Sequence, residues 1–362
     1  MKAIVIGAGV IGSSLTYRLA RAGCTVTVID QAGPAYGTTG YSFAWFNANS
    51  KTPQDYFALN QAGMREHLTL RDELGAAPWL HEGGNMVWAA RDDDAGELEA
   101  RVARLQSWGY PAEWLDRSAM TALEPRVLIE PDIEQGALFP TEGWIDGPAL
   151  VRRLLDLAVF HGAVTRIPAE VVSIDQRGGR VTGVTLAHGE RLDAHIVVNC
   201  AGPVADCVAS LAGRVIPLSP TLGLTVRASV DDVAISRVMH APRLHLRPDA
   251  EGLVMLHHGD ADDGVTAGDS ANAWVDALLE RAREYVPEFG AVRLSRWAIV
   301  ARPIPEDERT SAGLLHALPG YAEIVTHSGV TLGPLLARLI ATEITSGEVD
   351  PLLAPFSPDR WR

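Results

Sequence analysis

Three glycines near the N-terminus, in the segment Gly7-Ala8-Gly9-Val10-Ile11-Gly12, have the spacing of a turn that cradles phosphate groups. In such a turn Gly7 permits the tight bend, Gly9 lets the backbone approach a pyrophosphate, and Gly12 brings a helix close to a strand. An acid, Asp30, follows 18 residues after Gly12, where a carboxylate can accept hydrogen bonds from ribose hydroxyls. The pattern indicates dinucleotide binding, and it disfavours NADP because Asp30 would repel a 2′-phosphate.

The elements around this turn have the order that the chemistry requires. Residues 2–7 are typical of a buried parallel strand, residues 10–22 repeat apolar side chains at helical spacing before Gly23, and residues 25–29 form a second strand. A helix that starts at the turn offers unpaired N–H groups and a partial positive charge to phosphates. The motif inside a strand–helix–strand unit is therefore far more specific than the three glycines alone.

The rest of the chain favours FAD over NAD, because strands and helices do not go on alternating after Asp30 as they would in an NAD dehydrogenase. A loop rich in Gly, Thr, Ser and aromatic residues occupies 37–46, and residues 60–125 have a helical, polar pattern. Further along the chain, helices are predicted over 95–108, 149–158, 271–284 and 332–345. A hairpin is predicted from strands 169–174 and 180–186, joined at Gly178-Gly179, and a strand over 196–198. Residues 215–300 should form several strands, interrupted by the one helix at 271–284.

The predicted fold class is α/β with an α+β insertion. A Rossmann-type FAD-binding domain would be discontinuous, formed by residues 1–46, 145–214 and 305–362. A strand-rich substrate domain, formed by 47–144 and 215–304, would be inserted into it.

Composition excludes several classes of function. A formal net charge of −14 argues against nucleic-acid binding and anionic membranes, since phosphates are bound by clustered Lys and Arg. No apolar run reaches the roughly 18 residues of a membrane span, and a cytoplasmic protein without membrane insertion is expected. Cys24, Cys200 and Cys207 lack metal-ligand spacing, so we expect buried, reduced thiols and no metal site.

Four segments together resemble the D-amino-acid oxidase family of flavoproteins, which includes glycine oxidase, sarcosine oxidase and D-amino-acid dehydrogenases. They are Gly7 to Asp30, Gly37 to Trp45, Ala194 to Gly202, and Trp297 to Pro334. The resemblance covers nearly the whole chain and implies FAD as cofactor. Covalent members attach the flavin through a cysteine just before the region of Arg302, but no cysteine occurs there, so the flavin should be non-covalent.

The resemblance also implies which residues contact FAD. The expected contacts are Gly7, Gly9, Val10, Ile11, Gly12, Asp30, Gln31, Thr38, Thr39, Ser42, Phe43, Ala44, Trp45, Val171, Ala201, Gly202, Arg302, Ser328, Gly329, Val330 and Thr331. The last four match the start of a helix aimed at the flavin pyrimidine edge, where the partial positive charge of a helix N-terminus stabilises negative charge.

The reaction implied by the resemblance is oxidation of the C–N bond of an amino acid to an imine, with hydride transfer to flavin N5. Arg302 would clamp the substrate carboxylate, since a guanidinium fork pairs with it bidentately, or it would form a salt bridge between domains. His245 and His327 could face the substrate or be structural. Lys51 either faces the flavin, where a cation would assist reaction with oxygen, or lies on the surface.

Several alternatives remain open from the sequence. Electrons could pass to oxygen or to an acceptor protein, and the substrate could be a 2-hydroxy acid or another amine. The sequence does not indicate the side chain or the chirality of the substrate, or the oligomeric state of the protein. Residues 257–263 (His-His-Gly-Asp-Ala-Asp-Asp) are interpreted as a strand end running into a solvated turn, because adjacent histidines on a strand point to opposite faces and do not share a metal.

Overall fold

The computed structural model describes residues 1–90, 95–231 and 235–361. The strands are β1 (Lys2–Ile6), β2 (Thr25–Ile29), β3 (Trp45–Phe46), β4 (Leu80–Glu82), β5 (Asn85–Val87), β6 (Glu113–Asp116), β7 (Gln135–Phe139), β8 (Gly143–Ile145), β9 (Val164–Arg166), β10 (Val171–Arg177), β11 (Arg180–Leu186), β12 (Arg191–Asp193), β13 (Ile196–Asn199), β14 (Leu218–Ser219), β15 (Leu222–Ser229), β16 (Val238–Ala241), β17 (Leu244–Pro248), β18 (Leu253–His257), β19 (Arg293–Ala301), β20 (Ile304–Pro305), β21 (Ser311–Leu314) and β22 (Tyr321–Val325). The α-helices are α1 (Val10–Arg21), α2 (Thr38–Tyr41), α3 (Gln54–Leu74), α4 (Ala95–Ser107), α5 (Arg117–Leu123), α6 (Gly147–Phe160), α7 (Ala205–Ser210), α8 (Gly259–Ala267), α9 (Ala271–Tyr285) and α10 (Gly329–Ser346).

The first large sheet contains the N-terminal strand at its centre. Its strand order is β21-β22-β13-β1-β2-β9, with β21 antiparallel at the edge and the other strands parallel. Strand β1 is apolar and almost wholly buried because it has neighbours on both sides and helices α1, α6 and α10 pack into the core beside it. We call this the nucleotide sheet, since the glycine turn leaves from its carboxyl edge.

The second large sheet has eight strands in the order β19-β15-β18-β17-β16-β5-β7-β6. Its pairs are antiparallel except β16 with β5. On β17 the side chains of Leu244 and Leu246 enter a core shared with helix α9, and the alternation of a strand sends His245 and Arg247 to the opposite face. We call this the substrate sheet, and that opposite face is the floor of the site described below.

Several elements differ from the pattern predicted between residues 60 and 125. Helices α3, α4 and α5 are present, but strands β4, β5 and β6 lie between them. Strand β5 is three residues long and fully buried, because it is sandwiched between β16 and β7. Such short strands have no periodicity of their own, and distant pairing partners determine them.

Three further predictions were wrong in detail. Residues 259–267 form helix α8, so 257–263 is the junction of a strand and a helix and not a solvated turn, and two helices interrupt 215–300 where one was predicted. Helix α10 begins at Gly329, three residues before the start predicted from periodicity, which agrees with the resemblance that matched Ser328 to Thr331 with the start of this helix. Cys207 is exposed, unlike Cys24 and Cys200.

The fold class predicted from the sequence, α/β with a mixed insertion, is confirmed by the two sheets. The residue boundaries of the two domains stay a prediction. Helix α3, which lies in the stretch assigned to the substrate domain, packs against α10 in the core of the nucleotide sheet. Within the described parts of the chain, no helix combines the length and apolarity that crossing a bilayer requires.

Candidate functional site

The glycine turn between β1 and α1 has no room for side chains. Gly7 has a φ of +106°, and a Cβ there would lie 2.3 Å from the carbonyl oxygen of Cys200. A Cβ on Gly12 would lie 1.9 Å from the carbonyl oxygen of Gly7. Both distances are impossible for real atoms, so both positions require glycine. The turn is thus pressed between the end of β13 and the first turn of α1.

Asp30, which directly follows β2, accepts hydrogen bonds from the backbone of this turn and of the segment after β2. Its Oδ2 accepts from the N–H of Ala8 at 2.8 Å, and its Oδ1 accepts from the N–H groups of Ala32 and Gly33 at 2.9 Å. The carboxylate is therefore held by three backbone donors. Two oxygens have about four acceptor positions, which leaves capacity for a ribose hydroxyl.

A cavity of about 610 Å³ opens over the turn. Helix α1 has Gly9 at its N-cap, which offers no capping side chain, and the N–H of Val10 donates to Oγ1 of Thr39 at 3.1 Å. The other N–H groups of the first turn can donate to an anionic ligand. Of the residues predicted to bind the cofactor, those that line this cavity are Gly7, Gly9, Val10, Ile11, Asp30, Gln31, Thr38, Thr39, Ser42, Val171, Ala201, Gly202, Gly329 and Val330. Gly12 lies beneath them, in the contact of α1 with the turn.

A second cavity, of about 700 Å³, adjoins the first. Thr38, Ser42, Pro303, His327 and Val330 line both cavities, so the two meet at these residues. The remaining predicted site residues line the second cavity: Phe43, Ala44, Trp45, Lys51, His245, Arg302, Ser328 and Thr331. All the predicted site residues except Gly12 therefore border one of two connected spaces.

The segment 38–45, which forms the wall between the cavities, is held by the substrate sheet. Arg227 donates to the carbonyl of Gly40 at 2.8 Å, and Arg247 donates to the carbonyl of Phe43 at 2.5 Å. Asp249 pairs with both guanidinium groups, at 2.6 Å and 2.9 Å. These contacts compensate the buried positive charges of Arg227 and Arg247, since burying an unpaired charge would cost free energy of folding. None of the three charged residues was singled out from the sequence.

Arg302 follows strand β19 and reaches into the second cavity. Its Nη2 contacts the carboxylate of Asp262 and lies 3.2 Å from Nε2 of His257. Among the described residues, all hydrogen bonds of this side chain are made by Nη2, so Nε and Nη1 remain as donors. Gly223 on the neighbouring strand β15 makes room for the guanidinium, because a Cβ there would lie 2.8 Å from Nε of Arg302.

Asp262 is fixed from two sides. Its Oδ1 accepts from the N–H of Leu224 at 2.7 Å, and its Oδ2 accepts from Nε2 of His257 at 2.8 Å. Although burial opposes ionisation, these donors and Arg302 hold the pKa of Asp262 below its usual range. The residue sits in the segment interpreted from the sequence as a solvated turn, yet it is only 5% exposed.

Histidines form the floor of the second cavity. His240, His245 and His257 occupy neighbouring positions on β16, β17 and β18, so their rings lie on one face of the sheet. The ring centroids of His240 and His245 are 4.3 Å apart, and those of His245 and His257 are 5.3 Å apart. Phe43 contacts all three rings. Burial lowers the pKa of His240 and of His245 well below the usual range, so both rings are neutral at pH 7.

His327 and Lys51 lie on the opposite side of the same cavity. His327 is exposed to the cavity but otherwise enclosed by protein, and burial lowers its pKa to about 3, with the Lys51 and Arg302 charges acting in the same direction. His327 is therefore neutral near pH 7. Lys51 is half-buried and faces the cavity, in agreement with the active-site interpretation more than with that of a surface lysine.

A buried carboxyl group, that of Glu142, holds residues that line the second cavity through a network of hydrogen bonds. Its oxygens accept from Tyr110 Oη at 2.7 Å, Asn49 Nδ2 at 2.9 Å, Trp45 Nε1 at 3.0 Å and Asn85 Nδ2 at 3.2 Å. Burial raises the pKa of Glu142 to about 7, and these donors oppose the shift. The network fixes Trp45, and through Asn85 it fixes the ring of His240, whose Nδ1 is 2.8 Å from Asn85 Oδ1.

Sequence reasoning missed the residues of this site that depend on sheet pairing. They are His240, His257 and Asp262 in the cavity floor, Gly223 beside Arg302, and Glu142 behind Trp45. A glycine in the middle of a strand such as β15 is a signal of close approach, and it could have pointed to Gly223. The described residues contain no group of three or more metal-ligating side chains placed to hold an ion.

Comparison with known proteins gives a consistent result. A family model described as FAD dependent oxidoreductase (DAO) matches residues 2–343. The chain is 26% identical over 373 residues to a glycine oxidase of Geobacillus kaustophilus, covering 98% of this chain and 96% of the relative. It is 23% identical over 368 residues to one chain of an opine oxidase of Agrobacterium tumefaciens, covering 99% and 96%.

The same fold occurs among solved structures. The crystal structure of glycine oxidase from Geobacillus kaustophilus superposes with a TM-score of 0.85 at 20% identity, covering 99% of this chain and 98% of that one. At this identity the likeness establishes the architecture, while the chemistry must be argued from the residues.

Proposed function

Because the chain belongs to the DAO family of FAD-dependent oxidoreductases, we propose that it oxidises the C–N bond of an amino acid to an imine. FAD is its cofactor. The substrate class we propose comprises D-amino acids, glycine and N-alkyl amino acids, and the electrons pass to oxygen or another acceptor. Relatives whose names include glycine oxidase and opine oxidase support this choice.

The residues of the first cavity fit FAD. A turn whose Gly7 and Gly12 cannot carry a Cβ, a helix N-terminus with glycine at its N-cap and a carboxylate at the end of β2 suit a pyrophosphate and a ribose. We propose that the flavin end extends toward the second cavity past Thr38, Ser42 and Val330, which line both spaces. When bound, FAD supplies a hydride acceptor to a substrate in the second cavity.

The observation that carries the amino-acid proposal is Arg302. It lies in the second cavity with Nε and Nη1 available, and Asp262 holds the guanidinium from behind. A substrate carboxylate in such an enclosed space requires a cation with matching geometry. We propose that Arg302 binds this carboxylate, and that Asp262 and Gly223 position the guanidinium for it.

The test is anaerobic reduction of the flavin by amino acids. We expect Arg302→Lys to lose the fork geometry and Arg302→Ala the charge as well, costing about 2–5 kcal/mol in reduction efficiency. FAD content should barely change. The matched control is Arg309→Ala, because Arg309 has the same 26% side-chain exposure and also pairs with an aspartate, Asp55, but lies outside both cavities.

Gly223→Ala provides an independent check on the same site. The added methyl group would meet Nε of Arg302, so reduction efficiency should fall without any change in the arginine itself. Decarboxylated amines should react poorly with the native enzyme and be indifferent to both changes. If such amines, or 2-hydroxy acids, reduce the native flavin as fast as amino acids do, the amino-acid proposal is wrong.

A further inference from the structure

We propose that His245 accepts the proton that the substrate's ammonium group must lose, and that the resulting charge is shared with His257 beside Asp262. The inference rests on the proposed function, since it assigns a proton acceptor to the same cavity. It concerns a chain of three side chains in the cavity floor, from Asp262 on α8 through His257 on β18 to His245 on β17.

The chain is continuous by hydrogen-bond distance. Nε2 of His257 is 2.8 Å from Oδ2 of Asp262, and Nδ1 of His257 is 3.2 Å from Nδ1 of His245. Strand register produces this arrangement, because His245 and His257 are directly paired residues of β17 and β18. Asp262 cannot move away, since its other oxygen is held by the backbone of Leu224.

The hydrogen-bond partners fix the tautomer of each ring. Nε2 of His257 lies 2.8 Å from ionised Asp262, which only accepts, and 3.2 Å from Nη2 of Arg302, which only donates. We assign the hydrogen to Nε2 because the contact with the carboxylate is the shorter one, and Nη2 of Arg302 then donates to Asp262. In neutral His257 the other nitrogen, Nδ1, is then an acceptor, and it receives the hydrogen on Nδ1 of His245. This leaves Nε2 of neutral His245 as a free lone pair on a ring that lines the cavity. The chain therefore presents a base to the substrate.

Charged and titratable groups around His245 come from every neighbouring element. His240 faces it from β16, His257 from β18, His258 from the turn before α8, and Arg101 from α4. The other charged residues that line the cavity are Lys51, Glu97, Arg104 and Arg302. Burial and this mostly cationic surrounding keep His245 neutral, so its lone pair is present at neutral pH. They also disfavour a lasting charge on His245, so the charge is better placed on His257 beside Asp262.

His258 and His240 lack this arrangement. Both nitrogens of His258 already have partners: Nδ1 lies 2.7 Å from the carboxylate and 3.4 Å from the backbone N–H of Asp260, and Nε2 lies 3.1 Å from the carbonyl of Pro242. Nδ1 of His240 is tied to the amide of Asn85, which cannot take up charge. Of these rings, His245 is the one connected to a carboxylate through a second imidazole.

The chemistry needs such an acceptor. An amino acid in neutral solution is an ammonium ion, and a hydride leaves Cα readily only when the nitrogen has a lone pair to form the C=N bond. The nitrogen's proton would move to Nε2 of His245, and the hydrogen on Nδ1 of His245 would move to Nδ1 of His257. The positive charge then lies next to Asp262, which stabilises it. Proton number is conserved, and no other reactant is required.

The experiment compares His245→Asn with the native holoenzyme. Asparagine keeps a donor in the position of Nδ1 but has nothing in the position of Nε2. We expect anaerobic flavin reduction at neutral pH to slow by about 10²–10⁴-fold, the usual contribution of a general base. The rate should recover as the pH rises toward the pKa of the free substrate ammonium group, which is titrated separately. His257→Gln keeps a donor to Asp262. It should also slow flavin reduction at neutral pH and move the pH–rate profile to higher pH, but by a smaller amount than His245→Asn.

A binding measurement separates this role from a structural one. α-Aminoisobutyric acid has no hydrogen on Cα and cannot be oxidised, so its affinity can be followed over a range of pH by the change in flavin absorbance. In the native protein the affinity should fall at low pH, when solvent protonates His245 in competition with the ligand. In His245→Asn this acid-side dependence should disappear. The control is His161→Asn, which removes a histidine outside both cavities and should keep the native pH dependence.

Each other outcome overturns the proposal. If His245→Asn has the native rate and profile, or is slowed equally at every pH, His245 is not the proton acceptor. The same conclusion follows if the acid-side dependence of binding persists in the variant. These results leave the proposed function intact as long as amino acids reduce the native flavin, whereas failure of all amino acids to do so ends both proposals.

Discussion

At the scale of single residues, the site depends on contacts that span long stretches of sequence. The resemblance singled out Arg302 as a ligand for the substrate carboxylate, and that role stays a prediction. The orientation of Arg302 depends on Asp262 and on the empty space at Gly223, which lie 40 and 79 positions away along the chain. Gly7 and Gly12 could be identified because the spacing of the glycine motif is local in sequence, although a Cβ on Gly7 would clash with the distant Cys200. Sequence analysis thus finds residues whose motif is local and misses those that another strand positions.

Lys51 carries a prediction at this scale. A cation in the second cavity, close to His327, would assist the reaction of reduced enzyme with oxygen by stabilising negative charge as it develops. We expect Lys51→Met to slow reoxidation by oxygen far more than reduction by substrate. Stopped-flow measurement of the two half-reactions tests this, and Lys2→Met, remote from both cavities, is the control. Equal oxygen rates in variant and native protein would contradict it.

At the scale of elements, the longer periodic helices and the central strands were predicted well, whereas helix α8 and the short strands were not. The α1 and β2 boundaries follow from local periodicity and from Gly23, so sequence alone is sufficient for them. Strand β5 is a strand only because β16 and β7 lie on either side of it, and nothing within three residues could indicate this. The histidine row in the cavity floor was missed for the same reason, since it requires the register of β16, β17 and β18.

The contact of the β2 end with the glycine turn gives the second prediction. Asp30→Ala removes an acceptor for ribose and for three backbone N–H groups, so FAD binding should weaken by about 1–3 kcal/mol. Flavin retained after extensive dialysis is the measurement. Asp350→Ala is the control, because it also removes a backbone-capping carboxylate but lies away from the cavities. Unchanged retention in Asp30→Ala would refute the role of Asp30.

The contact of α3 with α10 gives a pH prediction. His67 on α3 is fully buried, and Nε2 lies 2.9 Å from the carbonyl of Val330 while Nδ1 has no hydrogen-bond partner among the described residues. Burial lowers the pKa of His67 from 6.5 to about 4. A lowered pKa in the folded state means that the unfolded chain binds the proton first as pH falls. Stability is therefore full above pH 6.5 and is lost between about 6.5 and 4.

The size of this effect can be measured by substitution. With these pKa values the native protein should lose about 2 kcal/mol of unfolding free energy through His67 between pH 7 and pH 5. His67→Gln keeps a donor to Val330 but does not titrate, so its loss over the same range should be smaller by that amount. Denaturant unfolding at the two pH values measures both. An identical pH dependence in the two proteins would show that His67 does not titrate as described.

At the scale of the whole molecule, residues of both sheets and of the segments that follow their strands line the two connected cavities. Arg227 and Arg247 of the substrate sheet hold the segment 38–45, whose other side faces the first cavity. Cofactor retention should therefore respond to changes on either sheet. The overall architecture was predictable from the motif and its position, but this tie between the sheets was not, because buried ion pairs leave no periodic pattern in a sequence.

The mode of cofactor attachment is the prediction at this scale. Cys200 and Cys207 line the first cavity, while none of the residues that line the second is a cysteine, and none occurs in residues 297–303. We expect a yellow protein from which acid or heat releases all the flavin as FAD. Chromatography of the supernatant after precipitation measures it, with a covalent flavoprotein treated in parallel as the control. Flavin that remains with the precipitated polypeptide would show a covalent bond.

The strand order of the nucleotide sheet also has a consequence for biosynthesis. Strand β1 leaves the ribosome first, but its neighbour β13 ends at residue 199, and β13 in turn pairs with β22, which ends at residue 325. The first cavity is completed still later, by Gly329 and Val330. Long-range pairing of this kind forms late and slowly. N-terminal fragments that end before β22 should therefore bind no flavin although they contain the entire glycine motif, and the nascent chain should stay cofactor-free until residue 330 has been synthesised.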